Sequence, residues 1–183
     1  FAILLVLGAV AYFVLEFNHA FAGLDPGQRV LQSFFLSTMT RSGGFATFDI
    51  SQLDGSSLLV TDMLMFIGGG SASTAGGIKV TTFAILFLAS IAEARGRDDM
   101  EAYERRIPKD VLRLAVSVVL WGATTVAAAS IAILLITDEP LDYVLFDVIS
   151  AFATCGLSTG LTASTTDGAQ YVLAATMFFG RVG

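Results

Sequence analysis

TRSGGFAT, at residues 40–47, lies at the end of a short apolar segment and before a longer one. A related segment, FATCGLST, occupies residues 152–159. When the two are aligned with an offset of 112 residues, Gly44 matches Gly156. Each segment therefore centres on a turn that contains glycine.

The alignment continues beyond the two turns in the same register. Phe34 matches Phe146, and MFIG at residues 65–68 matches MFFG at residues 177–180 without a gap. One register kept across separate motifs is the mark of an internal repeat. We interpret the chain as two copies of one unit.

The composition indicates a membrane protein. Of the 183 residues, 55% are hydrophobic and only 14% are charged, against roughly 25% charged in a soluble domain. The net charge of -6 argues against nucleic acid as a partner, because nucleic-acid binding needs a basic face. One cysteine excludes a disulfide within the chain, and the single His19 offers no metal cluster.

Both ends of the chain lie in apolar sequence. Residues 1–15 are apolar but somewhat shorter than the roughly 20 residues of a membrane span. Glu16 is expected to mark where this segment leaves the hydrocarbon. The chain has no initiator methionine or basic leader, and residues 177–183 end without a helix-stop signal. We therefore expect an excerpt from a longer protein.

A short helix is predicted to begin at Asp25 and Pro26, since aspartate caps helices well and proline suits the first helical position. This helix would run to about Thr40 and would be too short to cross a bilayer. Residues 41–47 would then be irregular backbone at membrane depth. Such backbone is tolerated only where it is buried in protein or lines a water-filled path.

The next span is predicted to be interrupted. Residues 57–67 and 80–92 are apolar and together long enough to cross a membrane, whereas residues 68–77 are small and polar. Residues 95–113 form the charge-rich loop, with six of the ten Lys and Arg residues. The positive-inside rule makes that loop cytoplasmic, so the two glycine turns would open toward the outside.

The second copy is predicted to follow the same order. Residues 114–136 form a full-length span, Asp138 to Pro140 start a short helix that ends near Ala153, and residues 155–167 return to the surface. The last span begins near Tyr171. The chain is thus divided into a first repeat (1–94), a loop (95–113) and a second repeat (114–183).

The turns are suited to a cation. A short helix that ends within the membrane places the negative end of its dipole there. The extended backbone that follows can offer successive carbonyl oxygens to a dehydrated ion. This requires alternating backbone twist, and Gly44 and Gly156 can adopt positive φ at low cost. The alternative is that both are ordinary loop glycines, which the paired register argues against.

The segment from Gly68 to Lys79 cannot remain helical without cost, because five glycines lie within ten of its residues. It is not a phosphate-binding loop, since Ile78 separates Gly77 from Lys79. From the residues alone it can be a hinge or kink between two half-helices.

Two arginines are also candidates for a functional role. Arg181 is a charge within an apolar span, where such residues usually face a pathway. The alternative is that it reaches a membrane edge. Arg41 could brace the turn from behind, with Asp147 as its ionic partner.

These segments resemble the membrane subunits of the Trk/Ktr/HKT superfamily of potassium transporters. The resemblance rests on TRSGGF (40–45), MFIGG (65–69), STAGGIK (73–79), GLSTG (156–160) and FGRVG (179–183). It implies an all-α integral membrane fold of span–pore helix–span repeats with re-entrant filter turns and one broken helix. Four such repeats would surround one pore, and this chain would supply the third and fourth.

The resemblance also implies site residues. The backbone filter for potassium would consist of Ser42, Gly43, Gly44 and Phe45, with Thr154, Cys155, Gly156 and Leu157 opposite. Gly43 and Cys155 replace the Ala and Val expected from the family, which should not matter if the carbonyls bind the ion. The intramembrane gate would comprise Gly68, Gly69, Gly70, Ser71, Ser73, Thr74, Gly76, Gly77 and Lys79, with Arg181 beside it.

The implied function is potassium uptake across the cell membrane, with or without sodium coupling. The implied assembly is a lipid-embedded homodimer with a cytoplasmic nucleotide-binding regulatory ring, without enzymatic activity or a cofactor. Two alternatives remain open. An intramembrane hydrolase would need a Ser–His pair, and His19 lies beside no glycine-serine motif. A secondary transporter of another fold often has inverted repeats, whereas both copies here share one orientation.

Overall fold

The structure is a computed structural model that describes residues 1–70, 75–95, 101–102, 105–106 and 109–182. These residues are helical apart from turns, one isolated bridge and a two-residue antiparallel strand pair, β1 (Glu101–Ala102) with β2 (Arg105–Arg106). The helices are α1 (Ala2–Leu15), α2 (Pro26–Met39), α3 (Gly55–Phe66), α4 (Val80–Ala94), α5 (Lys109–Leu134), α6 (Leu141–Phe152), α7 (Leu161–Ser164) and α8 (Asp167–Val182). A short 3-10 helix spans Ile50–Gln52.

The helices repeat with the register of the sequence. Helices α1, α2 and α3 of the first repeat correspond to α5, α6 and α8 of the second. Helix α3 begins at Gly55 and α8 begins at Asp167, which are equivalent positions in the alignment. The two short helices predicted before the turns are present as α2 and α6.

The start of α2 follows from its cap. Asp25 is the N-cap and Pro26 the first helical residue, as predicted. The side chain of Gln28 accepts a hydrogen bond from the Asp25 amide at 3.4 Å, which closes the first turn. Helix α3 begins in a similar way, because the Asp54 carboxylate accepts from the Ser56 hydroxyl and amide. These bonds lower the pKa of Asp54.

Glu16 does not simply mark the surface end of the first apolar segment. Its side chain is fully buried. It accepts hydrogen bonds from the Ala20 amide at 3.0 Å and the Asp54 amide at 3.1 Å. A buried carboxylate requires such donors, and here they join the end of α1 to the start of α3.

The charged loop is shorter than predicted. Helix α5 begins at Lys109 rather than near residue 114, so it includes Asp110 and Arg113. Its 26 residues extend for about 39 Å, more than the roughly 30 Å of hydrocarbon, so charged ends can project into the headgroup region. Charged residues alone therefore do not determine where α5 begins. Among the described residues, only α5 is long and apolar enough to cross a membrane unaided.

Two further helix boundaries differ from the predictions. Helix α8 begins at Asp167, four residues before the predicted start at Tyr171, because an acidic residue suits the first turn. The polar return segment also contains α7 (Leu161–Ser164), which no periodic pattern indicated. The predicted interruption is present, since α3 ends at Phe66 and α4 begins at Val80.

Helix α6 lies at the centre of the described core. It packs against α3, α5 and α8. Its residues from Phe146 to Phe152 are all buried. By contrast, α2 packs against α1 and exposes Val30, Leu31 and Phe34. The turn after α6 is therefore supported from several sides.

Candidate ion filter and gate

The two turns have matching backbone twist. In the first repeat, Ser42 and Gly44 have φ of 72° and 70°; in the second, Thr154 and Gly156 have φ of 51° and 98°. The pairs occupy equivalent positions. Positive φ at every second residue can turn successive carbonyl groups toward one side of the chain.

Positive φ was predicted only for the glycines of these pairs, although the resemblance also named Ser42 and Thr154 as filter residues. Positive φ is uncommon for a serine and rarer for a β-branched threonine, so residue type did not mark Ser42 or Thr154. Their equivalent spacing before the two glycines was the available signal. Each also lies just beyond a helix end, where a left-handed residue commonly terminates the helix.

The turns follow helix C-termini and are bonded to them. The carbonyl of Met39, the last residue of α2, accepts hydrogen bonds from the Gly43 amide at 3.0 Å and the Gly44 amide at 3.1 Å. In the second repeat, the Ser150 carbonyl accepts from the Cys155 amide at 2.9 Å. The amides of both turns are therefore directed back to the helix ends.

The two turns are in direct contact. A Cβ atom on Gly44 would lie 2.3 Å from the Cys155 oxygen and 3.1 Å from the Gly156 Cα. The Ser42 hydroxyl donates to the Thr154 carbonyl at 3.1 Å. Residues 42–44 and residues 154–156 are therefore direct neighbours. A sequence repeat establishes which positions are equivalent, and it does not tell whether equivalent strands are neighbours.

The predicted ion pair between Arg41 and Asp147 is wrong. Arg41 is 8% exposed, and its Nη1 donates to the carbonyls of Leu64 at 3.0 Å and Ile67 at 2.6 Å. Those oxygens lie at the end of α3, where helix carbonyls lack partners within the helix. Arg41 therefore connects the first turn to the residue that precedes Gly68.

Asp147 supports its own repeat instead. Its carboxylate accepts from the Ser158 hydroxyl at 2.8 Å and from the Thr159 amide at 2.9 Å. The Thr159 hydroxyl lies 3.3 Å from the same carboxylate. At 3% exposure, Asp147 is buried behind the segment that follows Leu157.

The two described ends of the interrupting segment are held together. The Gly68 amide donates to the Ile78 carbonyl at 2.8 Å, and the Val80 amide donates to the Gly69 carbonyl at 3.2 Å. Ile67 and Ile78 form a parallel bridge. The Lys79 ammonium donates to the Ala75 carbonyl. The end of α3 and the start of α4 are therefore joined by hydrogen bonds at the base of the segment. The predicted gate residues Ser71, Ser73 and Thr74 lie outside the described residues.

The same segment contacts the second repeat. The Gly76 amide donates to the Thr154 hydroxyl oxygen at 2.9 Å, and the Gly77 amide donates to the Gly180 carbonyl at 3.1 Å. Gly77 has φ of 72°. Arg181, the next residue after Gly180, is exposed. The structure thus brings Gly76 and Gly77, near the second end of the interrupting segment, next to the second turn and the last turn of α8.

No cluster of three or more His, Cys, Asp or Glu side chains in the described ranges could hold a metal ion. An ion bound at the turns would therefore depend on backbone and hydroxyl oxygens. Such ligands suit a hard monovalent cation that sheds part of its hydration shell.

The chain is similar to known transport proteins. It is 41% identical over 184 residues to Ktr system potassium uptake protein D of Bacillus subtilis, covering 100% of this chain and 41% of that protein. It is 33% identical over 183 residues to Ktr system potassium uptake protein B of Vibrio alginolyticus, covering 99% of this chain and 40% of that protein. The chain spans about two fifths of the length of these curated relatives.

The fold is also known from a solved structure. The potassium transporter TrkH from Vibrio parahaemolyticus matches with a TM-score of 0.82 at 19% identity, over 99% of this chain and 41% of that one. The curated relatives are named as potassium uptake proteins, which argues against the intramembrane hydrolase. The profile of TrkH, a family of cation transport proteins, matches residues 1–183. The chain therefore belongs to the TrkH family of cation transport proteins.

Proposed function

We propose that this chain forms part of a pore that conducts potassium into the cell. The observation that carries the proposal is the equivalent alternation of positive φ at Ser42 and Gly44 and at Thr154 and Gly156, directly after two helix C-termini. The names of the relatives, potassium uptake proteins, support potassium as the transported species. No cofactor is part of the proposal.

The proposed filter comprises residues 42–45 and 154–157. Its backbone carbonyls replace part of the hydration shell of the ion. The C-terminal ends of α2 and α6 add partial negative charge beneath these carbonyls. Direct contact between the turns supports a ring in which the two strands are neighbours. The chain then supplies the third and fourth repeats, divided by the charged loop.

The proposed gate is the segment from Gly68 to Lys79. Its position beside Thr154 and Gly180 supports a role in closing the inner side of the filter. Arg181, one residue after Gly180, would add a positive charge that repels cations in the closed state. The simple-hinge alternative predicts that shortening the segment leaves ion flux unchanged.

The proposed setting is a multi-pass protein of the cell membrane. The loop after α4 faces the cytoplasm by the positive-inside rule, and the filter turns face outside. Homodimer formation and a cytoplasmic nucleotide-binding regulatory ring remain part of the proposal. Sodium coupling is tested by the dependence of potassium uptake on sodium.

The filter is tested by replacing its glycines in the full-length transporter. Gly44→Ala should be the more damaging, because the added Cβ meets the Cys155 oxygen in addition to the strain of positive φ. At Gly156 the nearest atom would be the Gly44 Cα at 3.6 Å, so only the strain applies. We expect potassium selectivity over sodium to fall by about tenfold for Gly156→Ala, from a strain of about 1–2 kcal/mol, and further for Gly44→Ala.

The measurement is rubidium uptake into proteoliposomes with sodium as competitor. Gly55→Ala is the matched control, because its Cβ would have no atom within 4 Å. Unchanged selectivity in both filter variants would exclude backbone coordination at these turns.

A further inference from the structure

We propose that the hydroxyl of Thr154 couples the position of the interrupting segment to cation binding at the inner end of the filter. The interrupting segment, residues 68–79, is called the intramembrane loop from here on. This inference rests on the filter and gate proposed above. It adds a specific group that belongs to the filter and is bonded to the loop in this conformation.

The contact is direct and close. The Gly76 amide donates to the Thr154 hydroxyl oxygen at 2.9 Å. A Cβ on Gly76 would lie 2.8 Å from that oxygen, 2.9 Å from the Thr154 methyl carbon and 3.1 Å from the Gly180 oxygen. Only glycine permits this approach without a shift of its neighbours. The loop therefore places a bare backbone amide against a filter side chain.

Thr154 occupies a special position in the turn. It is the first residue of the second filter segment, directly after the C-cap of α6, and its φ is 51°. Its carbonyl accepts from the Ser42 hydroxyl at 3.1 Å. The residue is thus in contact with both the neighbouring filter strand and the loop.

The equivalent residue of the first repeat provides an internal comparison. Ser42 also carries a hydroxyl and has φ of 72°. Its hydroxyl donates to the Thr154 carbonyl rather than to the loop. The two repeats therefore have the same chemistry at the inner end of the filter, but in the described part of the loop the hydrogen bond is made to Thr154 and not to Ser42.

The hydrogen bond has two consequences. A hydroxyl oxygen has two acceptor sites, and the Gly76 amide occupies one of them with a partial positive charge. A cation near the inner end of the filter competes with that charge. When the loop leaves, Thr154 regains an oxygen site that can face a cation, so loop opening and ion binding favour each other.

The test combines loop and filter variants of the full-length transporter. Deletion of residues 68–77 joins Ile67 to Ile78, which already lie side by side as a bridge. Thr154→Val, Thr154→Ser and Ser42→Ala are each made with the loop intact and with the loop deleted. Rubidium uptake into proteoliposomes gives the maximal rate and the rubidium KM at equal protein amounts.

Loop deletion should raise the maximal rate. With the loop intact, Thr154→Val should raise it about fivefold, the effect of losing one hydrogen bond of ordinary strength that favours the closed state. Thr154→Ser should retain most of the restraint, and Ser42→Ala should not raise the rate. With the loop deleted, Thr154→Val should raise the rubidium KM without a further rise in rate. Thr154→Ala provides the same test if the valine variant does not fold.

The outcomes separate the two proposals. If loop deletion does not raise the rate, the gate fails and this inference fails with it. If deletion raises the rate but neither Thr154→Val nor Thr154→Ala does, the gate stands and the coupling through Thr154 is overturned. An equal rise for Ser42→Ala would also overturn it, because loss of either filter hydroxyl would then suffice.

Discussion

Asp147 is the buried charge that holds the second filter segment in place. Its carboxylate accepts hydrogen bonds from the hydroxyl groups of Ser158 and Thr159 and from the Thr159 amide. These donors follow Leu157 directly, so the carboxylate determines where the filter segment ends. Hydrogen bonds to a charged group are stronger than neutral ones, and an unsatisfied buried donor is costly.

Asp147→Asn should weaken this support. The amide nitrogen cannot accept, so at least one of the three donors loses its partner. We expect a loss of about 1.5–3 kcal/mol in stability, together with reduced potassium selectivity over sodium. Melting temperature of the purified full-length protein and rubidium–sodium competition measure the two effects.

The control for that prediction lies on the same helix. Asp142 is exposed in the first turn of α6, so Asp142→Asn removes an equal charge without removing a buried acceptor. Its effect on stability should stay below about 1 kcal/mol. If the two asparagine variants have equal melting temperatures and selectivities, Asp147 does not position the filter.

Residue-scale prediction succeeded where side-chain chemistry decides the conformation. Gly44 and Gly156 were identified because only glycine adopts positive φ without cost. The resemblance named Ser42 and Thr154 as filter residues, but their positive φ was not predicted, because neighbouring strands and the loop hold them in that conformation. The partner of Arg41 was predicted wrongly, because the carbonyls that it binds become available only where α3 ends. Such acceptors have no signature in residue type.

At the scale of elements, α8 and the loop meet at one glycine. A Cβ on Gly180 would lie 1.9 Å from the Phe152 oxygen at the end of α6. The Gly180 carbonyl also accepts the Gly77 amide. The absence of a side chain therefore allows α8, α6 and the loop to come together.

Gly180→Ala should force α8 away from α6. We expect a destabilisation of about 1–3 kcal/mol from overpacking, with a corresponding fall in melting temperature. Gly168→Ala in the same helix is the control, because its Cβ would meet only Ile136 atoms at 3.9 Å. Equal melting temperatures for the two variants would show that α8 can shift without cost.

Element boundaries were predictable where a cap marks them. Asp25 and Pro26 determined the start of α2, and the glycine run determined the end of α3. Gly68 and Gly180 are equivalent positions in the two repeats. Helix α8 continues past Gly180 through Arg181 and Val182, whereas α3 ends before Gly68, which is followed by Gly69 and Gly70. The start of α5 was missed because charged residues also form helices well.

At the scale of the whole molecule, two equivalent units lie side by side. Sequence comparison established their equivalence, and the described contacts between residues 42–44 and 154–156 establish that their turns touch. Adjacency could not be derived from the repeat, because it depends on how the units pack. Since the relatives are more than twice as long as this chain, the proposed pore would need further units to close.

The central claim is that both turns coordinate the transported ion through their backbones. Its most direct test is an experimental structure of the full-length transporter in rubidium or thallium, with the anomalous signal used to locate the ions. The account predicts ion density beside the carbonyls of residues 42–45 and 154–157, within one shared path. Ordered ions elsewhere in the transporter, with none beside these carbonyls, would contradict it.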